Sequence, residues 1–316
     1  MRVKRYTPAD SGIWDDFVGK SKNATFLLKR GYMDYHVDRF PDHSLMIYDD
    51  TDNLVALLPA TVRGNELVSH AGLTYGGFVM TDRTSGVDPL AWFDAVKEYC
   101  RRLGVAAIIY KPVPHIYHRQ PADEDLYALF RNDARLTVRN LATVIDLHNP
   151  VPSSRLGKRA LKRQRRYGIE VEEVDDVTLF WDIIVEDRRV RHNTVPVHNA
   201  GELALLHSRF PSEIRFFTAR SEGTIVAGAV IYICGGVLHL QYAACTAEGK
   251  DIYATDVIYH DVIFNRFPGA AYFDFGTSNE DAGRFLNAGM VAHKEEFGGR
   301  SVIYDTYRVE VTSIQQ

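Results

Sequence analysis

Residues 214–245 read IRFFTARSEGTIVAGAVIYICGGVLHLQYAAC. Three stretches rich in β-branched and aromatic residues follow one another here, separated by short turns that contain glycine: Ile214–Arg220, Thr224–Cys234 and Val237–Cys245. Turns such as Glu222-Gly223 and Gly235-Gly236 are typical of β-hairpins. The sequence therefore predicts a three-stranded antiparallel meander.

Four further elements are predicted after the meander. Apolar spacing predicts helices over Ile252–Arg266 and Ala282–Glu296, and a strand follows each of them, Ala271–Phe275 and Ser301–Val311. The resulting order is β-β-β-α-β-α-β.

The N-terminal half of the chain repeats this order. Its predicted elements are the strands Ser44–Asp49, Leu54–Arg63 and Glu66–His70, the helix Leu90–Leu103, the strand Val105–Lys111, the helix Asp123–Phe130 and the strand Leu136–Leu147. Each half also begins with two helical segments: Ile13–Val18 and Lys29–Phe40 in the first, Thr178–Arg191 and Ala200–Phe210 in the second. A repeated order with little sequence identity favours duplication of a mixed α/β unit, with shared local propensity as the alternative explanation. Pro150 and Pro152 interrupt the chain where the repeats meet, which predicts domains of residues 1–149 and 150–316.

The composition of the chain limits the classes of partner that it is expected to bind. The 316 residues are 46% hydrophobic and 25% charged, with a net charge of −4, so no general attraction to nucleic acids or acidic membranes is expected. No window approaches the roughly 20 apolar residues that span a bilayer, and the three cysteines lie in apolar stretches without CxxC spacing. We therefore expect a cytoplasmic protein without a transmembrane segment. His115 and His118 lack a third ligand in motif spacing, so no metal site is predicted.

A basic helix is predicted just after the domain boundary. Arg155–Tyr167 reads RLGKRALKRQRRY, and its seven basic residues share one side of a helix that Gly168 ends. Such a face suits a phosphorylated ligand, for which Lys158, Arg159 and Lys162 are the candidate contacts. The alternative is a solvated face paired with carboxylates such as Glu172 and Glu173.

The segment between the meander and the next helix is a second candidate anion site. Backbone N–H groups at such a turn and helix start favour a pyrophosphate group. The candidate residues here are Gly249, Lys250, Ile252 and Tyr253.

Three stretches of the C-terminal half, together with the duplication, carry a resemblance to a known family. They are the basic run Lys158–Arg166 with Tyr167-Gly168-Ile169, the strand end Phe273-Asp274-Phe275-Gly276, and Phe285–Met290 leading to His293–Gly299. The chain resembles the FemAB-like branch of the GNAT acyltransferase superfamily over most of its length. The resemblance implies an α/β (mixed α+β) fold of two tandem GNAT-like domains, each a mixed, mostly antiparallel sheet flanked by helices.

The resemblance also implies a function. An acyl or aminoacyl group would pass from a thioester or ester donor to an amine of a cell-envelope precursor, such as an amino sugar or a peptidoglycan stem. The donor would be an acyl-CoA, acetyl-CoA first of all, with aminoacyl-tRNA as the alternative. The acceptor would be a small molecule or a lipid- or nucleotide-linked precursor. The turn at residues 246–251 departs from the family pattern (Q/R)xxGx(G/A), and a non-catalytic tandem GNAT that binds a nucleotide-linked sugar or a protein partner is the competing hypothesis.

The catalytic candidates lie in the C-terminal half. Asp274 ends a central strand and could accept the proton of the incoming amine or cap the following turn. His239 lies on the opposing strand as a base or a structural residue, and Tyr307 could supply a hydroxyl group to the leaving group. By resemblance Lys294 lies beside the reactive end of the donor, although a lysine there also suits a helix C-terminus. No GxSxG motif is present, so direct attack on the bound donor is expected.

The acceptor is expected on the first domain. A glycine-rich aromatic loop there corresponds in order to the donor turn of the second domain. Its candidate contacts are Tyr75, Gly76 and Gly77, with the tyrosine ring available for stacking.

Overall fold

The computed structural model describes residues 1–151 and 155–311, without the side chains of residues 155–158, 191 and 192. The helices are α1 Ser11–Lys20, α2 Arg30–Met33, α3 Asp88–Leu103, α4 Glu124–Arg131, α5 Arg155–Tyr167, α6 Thr178–His192, α7 Ala200–Arg209, α8 Ala247–Asp251, α9 Ala254–Asp261 and α10 Ala288–Glu296. The strands are β1 Arg2–Arg5, β2 Leu45–Tyr48, β3 Leu54–Leu58, β4 Thr61–Arg63, β5 Glu66–Val68, β6 Ala107–Tyr110, β7 Arg135–Asp146, β8 Glu170–Val174, β9 Ile214–Ser221, β10 Thr224–Cys234, β11 Val237–Cys245, β12 Tyr272–Thr277, β13 Asn279–Glu280, β14 Phe285–Leu286 and β15 Arg300–Glu310.

The chain forms two compact units that exchange segments along the sequence. Unit 1 contains residues 1–141, Asn279–Phe285 and the part of β15 that begins at Ile303, whereas unit 2 contains Ala142–Ser278 and Leu286–Val302. The chain therefore passes from unit 1 to unit 2 within β7, returns to unit 1 for Asn279–Phe285, enters unit 2 again at Leu286 and goes back to unit 1 within β15.

Unit 1 has two sheets. Strands β1, β2 and β3 form a three-stranded antiparallel sheet, and the order in the second is β4-β5-β6-β15-β7. The predicted strand Leu54–Arg63 is divided into β3 and β4, which lie in different sheets, because Pro59 cannot donate a ladder hydrogen bond. Trp92 and Phe93 of α3 pack with Phe78 and Tyr110 in the core of this unit.

Unit 2 contains the predicted meander. The strand order is β7-β12-β11-β10-β9-β8, in which β8 to β11 are antiparallel neighbours and β11 pairs with β12 in parallel. Helix α9 packs Val257 and Ile258 against Phe217, Ile231 and Phe273 of the sheet. The fold prediction, mixed α/β with GNAT-like sheets flanked by helices, is confirmed.

The helix predicted over Ala282–Glu296 begins later than expected. Ala282 and Gly283 have positive φ angles of 49° and 88°, which end any helical path there, and Phe285 and Leu286 are extended. Helix α10 begins at Ala288, where the Asn287 side chain accepts a hydrogen bond from the Met290 N–H group (3.0 Å).

None of the described helices is both long and apolar enough to cross a membrane. The described residues also contain no group of three or more His, Cys, Asp or Glu side chains that could hold a metal ion.

Candidate active site

A fork between two central strands of unit 2 forms the centre of the site. The parallel register of β11 and β12 covers three residue pairs and ends at His239 opposite Asp274. Both strands continue beyond this pair, β11 to Cys245 and β12 to Thr277. They therefore separate in the middle of the sheet, where a ligand can approach both backbones.

His239 and Asp274 form a hydrogen-bonded pair at this fork. Nδ1 of His239 lies 2.8 Å from Oδ2 of Asp274, whose side chain is fully buried. The other carboxylate oxygen accepts a hydrogen bond from the Gly276 N–H group (2.7 Å). Asp274 thus caps the turn after β12, one of the two roles considered for it from the sequence, and it also holds the imidazole. Its role as acceptor of the amine proton stays a prediction.

The buried carboxylate sets the tautomer of His239. A carboxylate only accepts hydrogen bonds, so Nδ1 carries the proton in the neutral ring and Nε2 carries the lone pair. The same carboxylate stabilises the ring when Nε2 becomes protonated, as in the orienting carboxylate of a catalytic triad. The pair can therefore act chemically as an oriented general base.

A β-bulge lies two residues beyond His239. The register between β10 and β11 pairs Val230 with Tyr242 and Ile231 with Leu240, and it passes over Gln241. Gln241 also lies beyond the last pair with β12. A bulged residue leaves its backbone groups outside the ladder, which makes the Gln241 N–H group a candidate donor at the fork.

Lys294 of α10 holds the end of β12. Its ammonium group donates to the carbonyl oxygens of Gly276 (2.9 Å) and Thr277 (3.1 Å) and to Oγ of Ser278 (2.9 Å). Burial lowers the pKa of Lys294 to about 8, against the opposing effect of the nearby Asp274 carboxylate. An ammonium group has three protons, so these contacts engage all of them and position the turn that Asp274 caps.

The predicted donor turn after β11 is helical. Thr246 caps the short helix α8, and its Oγ accepts a hydrogen bond from the Gly249 N–H group (3.0 Å). Gly249 packs so closely that a Cβ atom would collide with the Val226 carbonyl oxygen. Glycine is thus required here by close packing rather than by a positive φ angle.

The basic helix α5 and Tyr253 meet in one cleft. A cavity of about 230 Å³ is lined by Arg159, Lys162, Arg163, Arg166, Tyr167 and Tyr253. The sequence prediction for Arg159 and Lys162 and that for Tyr253 therefore concern one surface, whereas the Lys158 side chain lies outside the described residues. Arg163, Arg166 and Tyr167 were not singled out individually as ligand contacts, although their helical spacing from Arg159 was a usable signal.

The expected carboxylate partners of α5 pair elsewhere. Glu172 binds Arg220 (3.1 Å), and Glu173 binds Arg215. These two carboxylates therefore do not neutralise the basic helix.

The acceptor candidates and Tyr307 lie in unit 1. The Tyr75 ring is only 2% exposed and packs 4.9 Å from the Tyr117 ring, so little of it is open to a stacking ligand. Gly76 and Gly77 follow it, and Gly77 has a φ angle of 73°. Tyr307 donates a hydrogen bond to Asp305 (2.9 Å). The structure thus brings together His239, Asp274 and Lys294 within unit 2, and Tyr307 belongs to the other unit.

Residues 154–284 match the family model of the acetyltransferase (GNAT) domain. This part of the chain is a GNAT domain. It contains the meander, the α8–α9 segment, the basic helix and both residues of the His239–Asp274 pair, and α10 with Lys294 follows it. No curated protein matches the chain significantly in sequence.

Solved structures share the fold over nearly the whole chain. FemX has a TM-score of 0.67 at 12% identity, covering 96% of this chain and 97% of that one. The C-terminal domain of a putative lysylphosphatidylglycerol synthetase from Agrobacterium fabrum has a TM-score of 0.62 at 15% identity, covering 96% and 92%. A tandem GNAT protein from the clavulanic acid biosynthesis pathway has a TM-score of 0.53 at 11% identity, covering 99% of each chain. The resemblance of this GNAT-containing chain to FemAB-like proteins is confirmed in fold.

Proposed function

We propose that this protein is an N-acyltransferase whose reaction takes place at the fork between β11 and β12. The observation that carries the proposal is the His239–Asp274 pair, which lies at the last parallel contact of the two strands within the GNAT domain. An oriented base at a gap in the sheet suits the deprotonation of an amine that attacks a bound acyl donor.

The proposed base is His239. Nε2 accepts the proton of the attacking amine while the nitrogen bonds to the acyl carbonyl carbon, and the buried Asp274 carboxylate stabilises the resulting imidazolium. When the tetrahedral intermediate collapses, the bond to the leaving sulfur or oxygen breaks, and the imidazolium can return the proton to it. A positioned base of this kind contributes about 10²–10⁴-fold to the rate.

The proposed oxyanion donor is the backbone N–H group of Gln241. The bulge places this residue at the fork, two positions beyond the base. A fixed backbone dipole costs no reorganisation during the reaction and stabilises the negative charge that develops on the carbonyl oxygen. Lys294 supports the site by holding the turn after Asp274.

The proposed donor is an acyl-CoA such as acetyl-CoA, with aminoacyl-tRNA as the alternative. The acetyltransferase name of the matching family supports acyl-CoA as the donor. The fold shared with FemX and with a putative lysylphosphatidylglycerol synthetase supports aminoacyl-tRNA as the donor and an amine of the cell envelope as the acceptor. We further propose that the first domain, predicted as residues 1–149, contributes to the acceptor side through Tyr75, Gly76 and Gly77. Two statements stay predictions: that Tyr307 supplies a hydroxyl group to the leaving group, and that the protein is cytoplasmic.

The competing proposal is a non-catalytic domain that binds a nucleotide-linked sugar or a protein partner. The turn after β11 favours this alternative, because the Gly249 N–H group, a candidate donor to a phosphate of the acyl donor, is hydrogen-bonded to Thr246 instead.

The deciding experiment measures thiol release from acetyl-CoA and longer acyl-CoAs, and ester loss from aminoacyl-tRNA, against a panel of amino sugars and stem peptides. Mass spectrometry identifies the acylated product. His239→Gln lowers kcat by about 10²–10⁴-fold, whereas the matched replacement of an exposed histidine of the same unit, His148→Gln, leaves it unchanged. Turnover that His239→Gln does not affect would refute the role of the fork, and the absence of any product would favour the binding domain.

A further inference from the structure

The cleft between α5 and Tyr253 is a concentrated positive surface on a chain of net negative charge. Four cations of its lining follow the spacing i, i+3, i+4 and i+7 along one face of α5: Arg159, Lys162, Arg163 and Arg166. Two tyrosine rings, Tyr167 and Tyr253, complete the wall.

Arg163 is held in a fixed position within this cleft. Its Nη1 donates to Oδ2 of Asp256 (2.6 Å), and its guanidinium carbon lies 3.3 Å from the centroid of the Tyr253 ring. Tyr253 is 48% exposed and has a φ angle of 60°, an uncommon conformation for a residue with a bulky side chain. Strained residues of this kind are concentrated at ligand sites.

The other cations of the cleft differ from Arg163 in their charge balance. In the part of the chain that the structure describes, Arg159, Lys162 and Arg166 have no carboxylate within ion-pair distance. Like charges three and four residues apart on a helix repel one another. A bound anion would relieve this repulsion, and a single phosphate group, with a charge of about −1.5 to −2, balances only part of it.

The surface beside the turn after β11 is acidic, in contrast to the basic cleft beside α5. A cavity of about 600 Å³ beside it has three acidic side chains in its wall, Asp182, Glu186 and Asp187, and Lys250 as its cation. The Gly249 N–H group, which could meet a phosphate, is bound by Thr246. Glu186 is paired with Arg189 (2.7 Å), and the wall of this cavity is still richer in acidic side chains than the wall of the cleft that faces α5.

We propose that the cleft lined by Arg159, Lys162, Arg163, Arg166 and Tyr253 binds two adjoining phosphate groups, as in a nucleoside diphosphate or coenzyme A. Phosphate recognition is thus a property of α5 and not of the turn after β11. That the ligand takes part in acyl transfer rests on the proposed function, whereas the binding site does not.

The test is isothermal titration of the full chain with inorganic pyrophosphate, UDP, coenzyme A and inorganic phosphate. Pyrophosphate binds more tightly than phosphate, and comparison of UDP with coenzyme A identifies which source of the diphosphate the cleft prefers. The double replacement Arg159→Glu Lys162→Glu weakens pyrophosphate binding about tenfold or more, because charge-assisted hydrogen bonds are lost and repulsion is added.

A matched control lies on the same helix. Arg165 is exposed on α5 but does not line the cleft. Arg165→Glu therefore changes the net charge by −2, as the single replacement Arg159→Glu does, without touching the site, and it retains most of the affinity that Arg159→Glu loses. An equal loss in Arg165→Glu would show diffuse attraction and overturn the proposal. Loss of binding in Lys250→Ala with full binding in the double variant would return the site to the turn after β11.

Two further outcomes are decisive. Binding of RNA with no response to pyrophosphate would overturn the proposal in favour of a nucleic-acid surface, and so would the absence of binding to every anion tested. The titration is repeated with His239→Gln, which lies outside the cleft. Pyrophosphate binding that depends on α5, in a protein that acylates no amine, would refute the proposed function and leave the phosphate site intact.

Discussion

Replacing Asp274 with asparagine keeps the shape of the side chain and removes its charge. The asparagine carbonyl oxygen can still accept from the Gly276 N–H group, so its NH₂ group then faces Nδ1 of His239. Because an NH₂ group donates, Nδ1 must accept, and the ring proton moves to Nε2. The atom proposed to take the proton of the amine would then already carry one.

The loss of the Asp274 charge determines how far kcat is expected to decrease. Unit charges about 4 Å apart interact by about 4 kcal/mol at an effective dielectric constant of about 20. His239 and Asp274 are 2.8 Å apart atom to atom, and their side chains are 14% and 0% exposed, so this figure suits the pair. With about 1.4 kcal/mol for each factor of ten, Asp274→Asn lowers kcat by about 10³-fold with little change in KM.

The assay is the initial rate of acyl transfer at one fixed pH, measured over a range of donor and amine concentrations so that kcat and KM are obtained separately. Asp125→Asn is the matched control, because Asp125 is a buried aspartate of unit 1 whose pKa burial raises to about 7. A kcat near that of the unaltered protein would refute the role of the pair.

Three further predictions concern stability. Lys294→Met leaves three acceptors without their donor and lowers the free energy of unfolding in urea by about 2–4 kcal/mol; an unchanged midpoint would show that these contacts do not hold the turn. Gly249→Ala forces a methyl group against a backbone carbonyl and costs about 1–3 kcal/mol, whereas Gly86→Ala, whose methyl group meets no atom within 4 Å, is neutral by the same measurement. Burial lowers the pKa of His36 to about 4 and that of His70 to about 3. As the pH falls below about 6.5, these two histidines therefore take up protons in the unfolded chain before they do so in the folded protein. The free energy of unfolding consequently decreases between about pH 6.5 and about pH 4. Thermal unfolding across this range checks the slope, which His36→Asn reduces; a flat profile would contradict the burial of these rings.

Much of the secondary structure could be predicted from the sequence because its signals are local. Helix α5 spans Arg155–Tyr167, as its basic and apolar spacing and Gly168 predict, and α7 begins with the Asn199–Glu202 capping box. The meander follows from its turns, of which Gly223 and Gly235 adopt positive φ angles. Neighbouring residues alone determine these features.

The errors arose where a local pattern depended on a distant partner. The run Leu54–Arg63 is apolar throughout, yet Pro59 divides it between two sheets that the sequence does not distinguish. Helix α10 was predicted six residues too early because Ala282 and Gly283 suit a helix by type, whereas their backbone turns to the left in the fold. In place, a Cβ atom on Gly283 would collide with the Arg139 backbone.

The sequence by itself determined the mixed α/β fold, the basic helix and the residue types of the site. Only the tertiary structure brought His239 to Asp274 across 35 residues and Arg163 to Asp256 across 93. The parallel register of β11 and β12, the bulge at Gln241 and the packing of α5 beside α9 fix these contacts. Register and packing are decided by the burial of whole faces against distant elements, so no stretch of neighbouring residues contains them.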